Sequence, residues 1–363
     1  MRLVTRSQKF LVSLLAGLWL CGSAAAQQED ALSALVDAWL ASPHGNYHSP
    51  SFTYWNKDGA VPVQCAACHS QPGFIDFLGA DGSAAGVVDA PAAINAPIGC
   101  ASCHNKAAHA LSSVEFPSGV TVDGLGASAT CNVCHQGRAS TDAVVAATQA
   151  LEEDAVSADL GFINVHYGVA AAVARGAEVR SGYQYPGRSY AGRFFHVPNA
   201  SNCVDCHDAH STKVELEPCL TCHRGVDDVR AIRMRHADFD GDGNAAGGIH
   251  SEVVGLHARL LDAIRTYAAE VAGTPIGYAK GTFPYFFADT NADGEIGPDE
   301  AVFPNRYQSW TPRLLKAAYN YQVAAKDPGG YVHNPAYMMQ LLHDSLESLS
   351  ERVDVDMAAL RRP

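Results

Sequence analysis

Between Cys65 and His223 the pattern Cys-x-x-Cys-His occurs five times, as Cys65-Cys68-His69, Cys100-Cys103-His104, Cys131-Cys134-His135, Cys203-Cys206-His207 and Cys219-Cys222-His223. Of the eleven cysteines, only Cys21 lies elsewhere. No other thiol remains for a disulfide or a nucleophile. Sixteen of 363 residues are histidine, so five of five pairs followed by His by chance is on the order of one in ten million, and the pattern reads as c-type haem attachment. A zinc site gives no reason for a histidine directly after every pair. In a haem c unit the two thiols bond the porphyrin vinyl groups and the histidine reaches the iron.

Five haems along the 159 residues from Cys65 to His223 would form much of their own core. The expected fold is mainly α with extensive loops, a haem-packed interior and little regular sheet. The 32 glycines and 18 prolines agree, and residues 79–99 carry neither a helical nor a strand period.

The first 26 residues read as a signal peptide. Arg2, Arg6 and Lys9 precede a largely apolar run of eleven (10–20) and Ala24-Ala25-Ala26, which is too short to span a bilayer and ends in small residues. Export suits haem c, which is attached outside the cytoplasm, and points to the periplasm or the cell exterior. Removing the segment takes three basic residues and no acidic ones, so the formal charge goes from −13 to −16. That argues against nucleic acid as a partner. No later run is apolar enough for a membrane span.

Eleven histidines lie outside the five motifs, and a low-spin electron-transfer haem takes His or Met as its sixth ligand. His44, His166, His196, His210 and His333 are the candidates. His210 lies too close in sequence to His207 to reach the far face of the same porphyrin, so it is expected to cross to a neighbouring haem. His257 and His343 fall in amphipathic patterns and are expected at the surface.

After Cys222 there is no cysteine, and the chain divides into an expected haem domain (27–235) and a helical C-terminal region (236–363) packing on it. Helices are expected over 251–271 with Ser251 as N-cap, over 311–325 with Thr311 as cap and Pro312 in the first turn, and over 335–350. The stretch 289–300 matches an EF-hand loop. Asp289, Asn291, Asp293, Glu295 and Glu300 stand at positions 1, 3, 5, 7 and 12, with Gly294 at the turn position and Ile296 at position 8, a pattern for calcium. A second loop, 238–249, offers Asp238, Asp240 and Asp242. Its twelfth residue is Ile249, and Glu252 would have to substitute.

With these residues in view the chain resembles the exported multihaem c-type cytochromes of respiratory bacteria, within them a pentahaem group labelled polyhaem or membrane-associated cytochrome c. The likeness rests on stretches such as "WNKDGAVPVQCAACHSQPGFIDFLGADG", "GYQYPGRSYAGRFFHVP", "DFDGDGN", "SWTPRLLKAAYNYQ" and "KDPGGYVHNPAY". It implies electron transfer with redox partner proteins, either other cytochromes or a membrane quinol-linked complex, and some similar proteins form haem wires. The "VHNP" at His333 is similar to the distal-ligand segment of multihaem nitrite reductases. Three functions stay open: an electron carrier with every iron six-coordinate, an oxidoreductase of nitrite, hydroxylamine or a sulfur oxyanion with one open iron, and a polymerising filament subunit. For the second, Arg138 and the arginines of 230–236 are candidate anion partners, though pairing with haem propionates is simpler.

Overall fold

The computed structural model describes residues 29–198, 200–233 and 235–363. The expected signal segment 1–26 lies outside them. The described chain divides into two compact units. One comprises the residues up to Ala110 together with His207–Glu215, the other Leu111–Cys206 with Leu216–Pro363.

The first unit is built from short helices. Residues 29–40 are helical, followed by α1 (Pro50–Thr53), α2 (Val63–His69), α3 (Gln71–Phe77), α4 (Cys100–Cys103) and α5 (Lys106–Ala110). Extended Ser70 ends α2 and starts α3, and Pro72 fits the first turn of α3, where no N–H is needed. The loop that follows is held by mutual Val61 and Ala92 backbone hydrogen bonds at 2.9 Å and by Trp39 Nε1 donating to the Ile98 carbonyl. Its continuous apolar cluster is small, comprising Val61, Ala66, Val88 and Ala92 with Trp55 and Phe77 at its edge. Phe52, Phe74 and Leu78 are buried outside it, and groups held by the two motifs of this unit would add to its packing.

The second unit carries α6 (Ala129–Cys134), α7 (Thr141–Thr148), α8 (Ala170–Arg175), α9 (Glu217–Leu220), α10 (Ile249–Glu270), α11 (Pro312–Lys326), α12 (Gly330–His333) and α13 (Pro335–Ser350). Among the described residues, sheet is limited to two antiparallel pairs, β1 (Val114–Glu115) with β2 (Thr121–Val122), and β3 (Ile276–Tyr278) with β4 (Phe286–Ala288). In α10, Leu256, Leu260, Ala263, Ile264, Tyr267 and Ala268 are buried, one stripe at helical spacing. It packs against α11 and α13, which are buried on nearly all sides. Phe286 and Trp310 meet edge to face at 5.7 Å, and Tyr278 and Tyr321 do so at 4.9 Å.

Thr311 caps α11 through Leu314 N–H with Pro312 in the first turn, as the sequence predicts. The start of α10 is corrected. It begins at Ile249 with Gly248 as N-cap, because Ser251 Oγ donates back to the Gly248 carbonyl at 2.7 Å instead of capping. His343 is buried, and His257 packs inward with its ring flat on Tyr321 at 3.9 Å and Nε2 facing the Tyr321 carbonyl at 3.0 Å. The surface placement expected for both is therefore wrong. Their helices contact neighbours on more than one face, so amphipathic spacing does not identify the exposed side.

These helices also fix an extended segment. Asn320 accepts from Tyr183 N–H at 2.7 Å and donates to its carbonyl at 3.0 Å, Tyr319 Oη donates to Ser181 O, and Tyr337 Oη accepts from Gly182 N–H. Arg313, buried, binds Asp154 at 2.7 Å and the Ser348 carbonyl at 2.6 Å. Asp154 also takes Tyr267 Oη at 2.7 Å and Arg352 at 2.8 Å.

Asp154→Ala leaves Arg313 with a solvent-facing Glu351 as its carboxylate partner, and should cost about 3 kcal/mol in urea unfolding followed by circular dichroism. Burial holds His257 down to about 4, whereas an unfolded histidine takes its proton near 6.5. The unfolded state thus binds more protons between those values. Stability should be complete above pH 6.5 and fall by up to about 3 kcal/mol as pH drops towards 4. His257→Phe should flatten that slope.

Candidate haem and calcium sites

A histidine that binds a metal through Nε2 has to be aimed by what its Nδ1 holds. Three of the five motif histidines are aimed in this way. His69 Nδ1 donates to the Ser51 carbonyl at 2.8 Å, His135 Nδ1 to the Gly168 carbonyl at 2.9 Å, and His207 Nδ1 to the Thr212 carbonyl at 3.1 Å. Gly168 has φ +64°, and a Cβ there would lie 3.0 Å from His135 Nδ1, so glycine is required for the carbonyl to approach. Seven of the ten motif cysteines sit in short helices (α2, α4, α6, α9) and Cys203 opens a 3-10 turn, and among the described residues no disulfide joins any of the ten.

Two motif histidines face a second imidazole. In the first unit His104 and His210 are near-parallel, 9° apart with ring centres 6.2 Å apart. In the second unit His196 and His223 are 21° apart at 6.0 Å. A ligating nitrogen lies about 2 Å from its metal and about 1 Å from its ring centre, so two rings on opposite sides of one metal have centres about 6 Å apart. Both pairs meet that spacing. His109 also lies 6.3 Å from His104, at 64°. It sits only five residues downstream of His104, whereas His210 comes from a distant stretch.

The surroundings suit a large apolar group. Phe194, Phe195 and Val197 beside His196 are exposed, and a cavity of about 380 Å³ opens next to Cys100, lined by Trp39, Gln71 and Pro97. Haem c fits these residues: thiols to attach it, aimed imidazoles to reach its iron, and apolar side chains to cover its faces.

The other candidates differ. His333 donates Nδ1 to both oxygens of buried Asp327 at 2.8 Å. His44 and His166 are half-buried, His166 with φ +76°. His48 is exposed and stacks on Tyr47. In the 230–236 stretch, Arg230 pairs with Asp228, and Arg233 is buried against Glu252 at 2.6 Å. Arg233 is therefore committed inside the fold, and the anion-partner expectation fails for it.

At 289–300 the loop closes on itself. Asp289 Oδ2 accepts from Gly294 N–H at 2.9 Å, Asn291 Oδ1 from Asp293 N–H at 3.0 Å, Asp293 Oδ1 from Glu295 N–H at 2.9 Å, and Glu300 from the N–H groups of Thr290 and Gly297. Asp289 is 5% exposed, and its Oδ1 is buried with no hydrogen-bond partner. At 238–252, ligand atoms of Asp238, Asp240 and Glu252 lie within 4.8 Å of one another. Burial, reinforced by the charges of Glu252 and Asp242, pushes Asp240 up to about 6. Glu252 takes the Phe239 and Asp240 N–H groups at 2.6 and 3.1 Å as well as Arg233. A further group, His343, Asp344 and Glu347, is already neutralised by Arg362 and Arg188.

Comparison with known proteins finds relatives among the C-type polyheme cytochromes, and the chain is similar to them. It is 26% identical over 378 residues to the C-type polyheme cytochrome OmcB of Geobacter sulfurreducens, covering 88% of this chain and 48% of that protein. It is also 26% identical over 418 residues to the C-type polyheme cytochrome OmcC of the same species, covering 95% and 49%. The chain thus spans about half the length of the curated relatives it matches. No family model and no solved structure matches it. No helix among the described residues is long and apolar enough to cross a membrane.

Proposed function

We propose that the chain is an electron relay carrying five haems c, one on each Cys-x-x-Cys-His unit, with irons held by two histidines. The observation that carries this is the pair of facing imidazoles, His104 with His210 and His196 with His223, each joining a motif histidine to one from another stretch of the chain. His210 then ligates the haem on Cys100 and Cys103, and His196 the haem on Cys219 and Cys222. His44, His166 and His333 supply the remaining irons. Haem c contributes a reversible one-electron couple when bound. The protein attaches it, aims the ligands and sets each potential. Asp327 makes the His333 imidazole a stronger donor than rings held by backbone carbonyls, which favours the oxidised state of its iron. The segment 27–235 carries the haems and 236–363 braces them. The formal charge of −16 after removal of the expected signal segment suits basic redox partners outside the cytoplasm, and a homopolymer would extend the same relay.

Haem analysis and low-temperature EPR of the oxidised protein, matured with its haems, test this. Five haems per chain and only low-spin signals are expected. His196→Ala and His210→Ala should each convert about one haem equivalent to high spin. A high-spin equivalent in the unaltered protein would replace the relay with an oxidoreductase, and nitrite, hydroxylamine and sulfur oxyanions would then be assayed.

The 289–300 loop is proposed to bind calcium through Asp289, Asn291, Asp293, the Glu295 carbonyl and Glu300. The buried, unpartnered Asp289 Oδ1 supports this, because a desolvated carboxylate oxygen needs a cation or a donor. Asp238, Asp240 and Asp242 form a weaker seat, since Arg233 already supplies a positive charge beside Glu252. Calcium at about a hundred times its dissociation constant adds about 2.7 kcal/mol, so the melting temperature should rise by about 5–10 °C over chelator. Asp289→Asn should remove most of that rise. An unchanged melting temperature in the unaltered protein would exclude the site.

A further inference from the structure

The second unit buries a positive charge that its own carboxylates only partly answer. Arg175, the last residue of α8, is 6% exposed, and its Nη1 is buried without a hydrogen-bond partner. The nearest carboxylate oxygen, on half-exposed Glu178, is 3.6 Å away, too far for a hydrogen bond. The nearby positive charge is Arg193, whose guanidinium lies over the Phe195 ring at 4.4 Å. Burial and then the Arg193 charge push the Arg175 guanidinium down, and Glu178 offsets only part of that. The two arginines line a cavity of about 50 Å³ together with Ser128, Asn132, Asn202 and Cys203. Cys203 is fixed to the same wall by its N–H, which donates to Ser128 Oγ at 2.9 Å.

Two guanidinium groups around one small polar cavity are unfavourable alone and favourable around an anion. The arginine fork matches a carboxylate or similar oxyanion with two parallel hydrogen bonds. The volume admits a group of that size and not a whole organic ligand. We propose that Arg175 and Arg193 form a carboxylate seat whose occupant is a propionate of a haem attached nearby. The identity of the occupant rests on the relay proposal, while the seat itself does not. A small free oxyanion has the same chemistry and is the other source.

The test uses the haem-loaded chain with Arg175→Gln, the more accessible Arg193→Gln in case the first fails to fold, and Lys57→Gln as an exposed control of equal charge change. Haem count and EPR are recorded on every sample, so loss of the relay reading is seen separately. If a propionate occupies the seat, both arginine variants lower one haem's midpoint potential in spectroelectrochemical titration, Lys57→Gln does not, and added nitrite or formate changes nothing. If a free anion occupies it, the unaltered protein shows a saturable rise in melting temperature with nitrite or formate that the arginine variants lose. Potentials unchanged in both variants, with no response to either anion, would overturn the seat.

Discussion

An imidazole that serves a metal with one nitrogen is usually aimed by what the other nitrogen holds, and three motif histidines of this fold are held in that way. Backbone carbonyls do the holding for His69, His135 and His207. A carbonyl is a fixed acceptor, so it selects one tautomer and one ring orientation without adding charge. Ser51 presents its carbonyl from the short helix α1, and Gly168 and Thr212 present theirs from irregular backbone. The backbone around the motifs is irregular because it has to present these carbonyls, and Gly168 with its positive φ shows that irregularity at a single residue. His333 uses a buried carboxylate instead, which separates its donor strength from that of the others.

The two units meet this requirement by different means. The second has a core of long helices whose tyrosines and Asn320 hold residues 181–184 by their backbone. That clamp fixes the start of the stretch leading to Arg193 and His196, so the placement of both depends on packing that needs no cofactor. Among the described residues, the first unit has a cluster around Val61 and Ala66 that is small beside the helical core of the second. Its order depends far more on what Cys65, Cys68, Cys100 and Cys103 hold. Losing haem should therefore disturb the first unit more than the helical core of the second.

What could be read in the sequence was what is local. The five motifs, the caps at Thr311 and Pro312, the helix over 335–350 and the acidic loops depend on neighbours a few residues away. The extra histidines stood out in the sequence as candidate ligands, but that His210 faces His104 did not, since residue 210 joins the first unit across nearly a hundred intervening positions. His257 and His343 misled because helical spacing marks an apolar stripe and does not report a second packed face. Arg175 gave no signal. It lies in no basic run or motif, and only burial without a bonded acceptor sets it apart.

The placing of charge follows one rule throughout. The chain is strongly acidic overall, yet its interior contains arginines: Arg313 against Asp154, Arg233 against Glu252, and Arg175 with a distant, half-exposed Glu178. The first two are closed by carboxylates of the chain at hydrogen-bond distance, and such pairs hold segments together. The third is left open by the protein itself, beside a motif cysteine. The loop at Asp289 shows the opposite sign, a buried carboxylate oxygen with no donor. A fold that closes Arg233 and Arg313 with carboxylates at 2.6–2.7 Å and leaves Arg175 Nη1 and Asp289 Oδ1 open is complementary at those two places to two kinds of ligand, an oxyanion and a hard cation. The proposed haem propionate and calcium would meet both.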